Sequence, residues 1–258
     1  MRGLICNCVA LYGAKYASYD LKGWYEYMLT WFEPCGMGPD MIGVTGKGFS
    51  KKPLPFAHQK EKLERKEFQG IESIELYSTI PNYKQLVFGW KLYADLNINA
   101  STMAVCFDDD IVGFDLRYLK RLMKELSQFY EFQYGICYQR EFKKGPALYA
   151  YGFTAGLGYD ESDMDEKDSI SKWLHDSYDK SSYLEGYMRD IYPLNVLSNA
   201  HLNRYIGEQP LKSWLSMTNE RGTLEQLNES CWIWEVDQGH AENIRCSLGA
   251  HGLLICYP

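Results

Sequence analysis

Ser101-Thr102-Met103-Ala104-Val105-Cys106-Phe107, the run Leu116 to Phe129, and Phe132-Gln133-Tyr134-Gly135-Ile136-Cys137-Tyr138-Gln139-Arg140 together decide the fold. The outer two pieces are short apolar runs and read as strands. Between them Leu119, Leu122, Met123 and Leu126 recur at helical spacing on one face. A second strand-helix-strand pattern closes the chain: Cys231 to Val236, a helix over Ala241 to Leu248, and a final strand over Gly252 to Tyr257.

Leu4 to Leu11 reads as a first strand. Leu21, Trp24, Tyr25, Met28, Leu29 and Phe32 then mark an amphipathic helix, ended by Pro34, Gly36, Gly38 and Pro39. Gln59 to Phe68 alternates charge at helical neighbours and reads as a solvent-exposed helix. Ser73 to Ser78 and Val87 to Leu96 read as strands joined by a turn at Pro81-Asn82. This mixture predicts an α+β protein, mostly antiparallel sheets with helices packed on one face. The length suits a single compact domain over 1–258, or two ferredoxin-like, pseudo-repeated halves, about 1–140 and 141–258.

The hydrophobic fraction of 46% and aromatic fraction of 15% predict a packed core rather than a disordered chain. No run reaches the ~20 apolar residues that cross a bilayer. The N-terminal residues Met1 to Cys6 begin like a signal peptide, but Asn7, Lys15, Asp20 and Lys22 interrupt it. The sequence therefore predicts a cytoplasmic protein with no membrane partner. Six of the eight cysteines, Cys6, Cys8, Cys106, Cys137, Cys231 and Cys256, sit in apolar strand-like runs and read as buried thiols. Cys6 and Cys8 have the wrong gap for zinc, and the five histidines are scattered. No metal and no cofactor is expected.

Motifs for catalysis are lacking. There is no G-x-S-x-G elbow and no H-E-x-x-H. Gly46-Lys47-Gly48 lacks the upstream glycine spacing of a phosphate loop, and Gly152 to Gly158 does not match a dinucleotide fingerprint. His58, His175, His201, His240 and His251 read as surface or capping residues. Asp108-Asp109-Asp110 closes a strand. Acids there can hold a divalent metal, or they can favour the next helix's N-terminus, with Asp110 or Asp115 as its cap. The metal alternative describes a phosphoryl-transfer or nuclease-like enzyme.

The most distinctive shift in composition is Asp160 to Asp168, with six acids and one lysine, read as a loop ahead of a helix over Ile170 to Tyr178. The net charge is −7, which argues against nucleic acid and favours a basic protein partner, or simply serves solubility. The candidate partner-binding residues are Asp160, Glu161, Asp163, Asp165, Glu166 and Asp168, with Tyr159 and Trp173 as aromatic anchors. A homodimer is left open.

Arg189-Asp190-Ile191-Tyr192-Pro193-Leu194-Asn195-Val196-Leu197 resembles a segment of bacterial type VI secretion immunity proteins paired with a nuclease-type effector. The STMAVCF and FQYGICY strands resemble that family's middle region. The resemblance covers the second half of the chain. It implies a non-enzymatic protein that binds a cognate toxin and blocks its active site, and it carries over no catalytic residue. Arg189, Asp190 and Asn195 read instead as a structural hydrogen-bond cluster under a loop. A structural subunit of a defence or secretion complex is the third reading.

Overall fold

β1 (Ile5–Tyr12) is the strand around which the molecule is organised. Seven of its eight residues are buried, and successive side chains enter opposite cores. Val9 and Leu11 face one core; Cys6, Cys8, Ala10 and Tyr12 face the other. A computed structural model describes residues 5–15, 17–49, 52–155 and 158–257, with Phe88 described for its backbone alone. Leu4 of the expected first strand, and Gly156 and Leu157 of the glycine-rich run, lie outside the described residues.

The chain continues through α1 (Leu21–Phe32), β2 (Met41–Gly46), β3 (Leu54–Pro55) and α2 (Phe56–Arg65). β4 (Ile71–Thr79), β5 (Trp90–Asn97), β6 (Thr102–Asp108), α3 (Leu116–Leu126) and β7 (Tyr134–Glu141) follow. The second part holds α4 (Pro146–Ala150), α5 (Met164–His175), β8 (Leu194–Ser198), α6 (Asn199–Leu202), β9 (Tyr205–Ile206) and β10 (Gln209–Pro210). It ends with α7 (Leu211–Ser216), β11 (Thr223–Gln226), β12 (Cys231–Glu235) and α8 (Ala241–Ala250). Among the described residues ten strands form one sheet in the order β11-β12-β8-β7-β1-β6-β5-β4-β2-β3. Every pairing in it is antiparallel. β1 pairs β7 over eight residues, so the ladder runs unbroken through the middle of the chain.

The α+β class and the antiparallel sheet are as the sequence predicts. The helices, however, cover both faces. α1, α2 and α3 bury Trp24, Met28, Leu63 and Leu122 on one side, while α5, α7 and α8 bury Trp173, Trp214 and Leu248 on the other. The reason lies in the central strands. β6 reads Thr102–Asp108 with every residue buried, so both of its faces need cover. The expected final strand over Gly252 to Tyr257 is also absent. Gly252 adopts φ +68°, and Leu253 N–H bonds back to Leu248 O, turning the chain out of α8. The segment then makes only an isolated parallel bridge, Met188 to Leu254. Among the described residues no helix is long and apolar enough to cross a membrane, and all eight cysteines are free thiols.

Candidate functional site: the two faces of the acidic helix

The acidic run is a helix start rather than a loop. Asp160 begins a short 3-10 turn over Glu161–Asp163, which leads directly into α5. Ser162 N–H donates to Asp160 Oδ1 at 2.8 Å, and Asp160 N–H donates to Asp163 Oδ2 at 2.9 Å. This reciprocal cap satisfies donors that a helix start leaves open. Asp165 and Glu166 stand in the first turn of α5, where the helix dipole favours negative charge.

Helical periodicity then sorts the acids. Asp163, Glu166, Ile170 and Trp173 recur on the inner side. Lys144 Nζ lies 2.8 Å from Asp163 Oδ1 and 2.7 Å from Glu166 Oε2. Arg140 Nη1 lies 2.9 Å from Glu166 Oε1. The Lys144 contact holds the Asp163 carboxyl below the usual aspartate range, and Asp163 with Glu166 holds the Lys144 ammonium above the usual lysine range. Tyr159 is half-buried beside this knot. Arg140 donates to its hydroxyl, and the Lys144 and Lys167 ammonium groups lie 5.2 and 5.8 Å from its ring centre. Lys167 Nζ also donates to Asp160 O at 3.1 Å.

Trp173 is fully buried. Its Nε1 donates to Ala150 O at 3.2 Å, and its ring meets Tyr12 edge-on at 5.0 Å. It offers no surface to a partner. The sequence reading of Trp173 as a binding anchor is corrected: its place at the end of the inner stripe puts it in the core.

The outer side carries Glu161, Met164, Asp165 and Asp168, spaced i, i+3, i+4 and i+7. All four are exposed, Met164 at 53%. Among the described residues Glu161, Asp165 and Asp168 form no ion pair. Of the eight residues singled out by sequence, three are thus free acids. Asp160, Asp163, Glu166 and Tyr159 are engaged within the protein, and Trp173 is core. Sequence reasoning missed Arg140 and Lys144, which pair with two of the six acids, Asp163 and Glu166. The signal was available in the spacing of Asp163 and Glu166 from the apolar Ile170 and Trp173.

The segment around Arg189 is a buried brace. Arg189 is fully buried, donates from Nη1 to Tyr149 O at 2.8 Å, and stacks over the Tyr149 ring at 3.7 Å. Asp190 accepts from Arg245 Nε at 2.8 Å. Asn195 donates to Tyr192 O at 2.7 Å and accepts from Tyr192 N–H at 3.2 Å. These bonds fasten the loop before β8, as the structural reading of these residues expects.

Asp108, Asp109 and Asp110 are likewise tied into a turn. Asp108 Oδ1 accepts from Asp110 N–H at 3.1 Å, and Asp109 Oδ1 accepts from Asn7 Nδ2 at 2.8 Å. Asp115 caps α3, accepting from Arg117 N–H at 2.8 Å. Among the described residues no group of three or more His, Cys, Asp or Glu side chains is arranged to hold a metal ion. His201 does cap α6, with Ser198 N–H donating to its Nδ1 at 3.2 Å, but it does so from the core. Burial presses its pKa down to about 3.

No family model matches the chain, and no curated protein matches it. Among solved structures it is similar to a Pseudomonas aeruginosa T6SS protein, PA0821. The TM-score is 0.54 and the identity 9%, over 97% of this chain and 73% of that one. The likeness is one of fold.

Proposed function

We propose that this chain is an immunity-type binding protein that holds a basic effector through the outer face of α5 and blocks it sterically. The observation that supports this most is the division of one acidic run. Asp163 and Glu166 are spent on Lys144 and Arg140 inside the protein. Glu161, Asp165 and Asp168 stand exposed around an exposed methionine. Among the described residues these three charges have no ion-pair partner, and unpaired charge beside an apolar contact suits recognition of a cationic surface. The fold likeness to a T6SS protein agrees with the type VI secretion setting that the resemblance of the Arg189 to Leu197 segment implies.

The test is a tagged pull-down from the native cell in low and high salt, read by mass spectrometry. The expected result is one stoichiometric basic partner, lost at high salt, that is toxic when expressed without this chain. Recovery of several chains in a large stable complex would favour a structural subunit. Recovery of no specific partner at any salt would remove the immunity reading.

A further inference from the structure

The two edges of the large sheet differ. At one end β3 has only two residues, and one of them, Pro55, has no N–H to offer a further strand. At the other end β11 has four residues and no proline. Its ladder with β12 pairs Thr223 with Glu235 and Glu225 with Ile233, and Leu227 N–H bonds Cys231 O at 2.9 Å. Alternation along an antiparallel strand therefore turns the backbone N–H and C=O of Leu224 and Gln226 outward. Thr223, Glu225 and Gln226 are exposed.

Beside this open edge runs a basic helix face. Arg117, Arg121 and Lys124 recur on α3 at i, i+4 and i+7, and all three are exposed. Their ion pairs are weak: Arg117 reaches Asp115 at 3.8 Å and Arg121 reaches Glu125 at 4.0 Å. The fourth cation, Lys120, is consumed by Glu235 at 2.6 Å and Glu225 at 3.2 Å, and so fixes α3 against β11 and β12. Between helix and strand lies a groove of about 340 Å³, with Leu227 and Ile233 among its apolar lining. The side chains of Thr223 and Glu225 stand on the same side of the sheet as Leu227 and Ile233, facing α3.

We propose that this groove docks an extended acidic segment of a partner protein, added as an eleventh strand on β11. The backbone of the incoming segment satisfies the outward groups of Leu224 and Gln226, as strand addition does elsewhere. Every second side chain of that segment faces α3, where carboxylates meet Arg117, Arg121 and Lys124. The charge of the occupant follows from the helix face, and its extended form follows from the strand edge. This surface is separate from the outer face of α5 and opposite in sign, so the two stand or fall independently.

The test uses the full chain and a fluorescent six-residue peptide alternating glutamate and valine, followed by anisotropy. Saturable binding is expected, with at least ten-fold weaker binding of the lysine–valine peptide. Gln226→Pro removes an outward N–H without touching the β12 ladder, and it should weaken the glutamate peptide at least ten-fold. Arg121→Glu with Lys124→Glu should do the same, with an unchanged melting temperature for both proteins. Absence of saturable binding, or equal binding of the two peptides, would overturn the proposal. So would binding that Gln226→Pro leaves intact, or a single-stranded DNA oligonucleotide that binds as tightly as the peptide and ignores that substitution.

Discussion

The inner and outer faces of α5 carry the same kind of residue to different ends. On the inner face, Asp163 and Glu166 meet Lys144 and Arg140, and below them Ile170 and Trp173 enter the core. On the outer face, Glu161, Asp165 and Asp168 meet only solvent among the described residues. Composition cannot separate these two sets, because both are acidic. A helix period of 3.6 residues separates them at once. An acidic run is therefore not one electrostatic feature: part of it anchors the fold, and only the remainder is available to a partner.

The largest effect is expected at Trp173, on the inner face. Trp173→Ala should destabilise the protein by about 3–5 kcal/mol, as loss of a large buried aromatic does. A cost below about 1 kcal/mol in a denaturant titration would mean that the inner face is not the anchoring one. Next comes the charge knot. Lys144→Gln should cost roughly 1 kcal/mol or less, the scale of a screened ion pair, and this loss should shrink in high salt. A loss that is equal at both salt concentrations would deny the knot its electrostatic character.

The acid side of the stability curve sharpens the same point. Asp163 has a folded pKa below its unfolded one, so its contribution is present above pH ~4 and fades as pH falls through the folded value. His201 acts at milder acidity. Its folded value of about 3 lies below the ordinary histidine value of 6.5, so the unfolded chain takes up a proton first. Stability should then fall as pH drops from about 6.5 toward 3, by up to roughly 1.4 kcal/mol per pH unit. Melting curves of the parent, Asp163→Asn and His201→Gln across pH 3–7 check both. The histidine variant should lose the slope above pH ~4, and the aspartate variant only the slope below it. The smallest stability effect belongs to the outer face: Glu161→Gln, Asp165→Asn and Asp168→Asn together should change stability by less than about 0.5 kcal/mol.

Much of the fold was legible because the signals were local. The apolar runs over Cys6 to Leu11 and Met103 to Phe107 gave strands, and Leu119, Leu122, Met123 and Leu126 gave α3. What escaped depends on partners distant in sequence. The cover on both sheet faces follows from β6 lying between β1 and β5 in the ladder; the unbroken apolar run over Met103 to Phe107 signals burial on both faces but not which helices supply it. The strand expected over Gly252 to Tyr257 has an apolar run, but the left-handed Gly252 spends it on closing α8. Of the candidate site, the charge and the helical spacing that divides it were legible, and the cations that meet its inner side were not, since Lys144 lies 22 residues from Glu166 and Arg140 lies further still.

The most direct measurement is the association rate of the recovered effector with the parent chain and with the Glu161→Gln, Asp165→Asn, Asp168→Asn variant, followed across a range of salt. The account predicts association slowed about ten-fold at low salt, a flattened salt dependence, and a dissociation rate little changed. Identical association rates and salt slopes for the two proteins would contradict it.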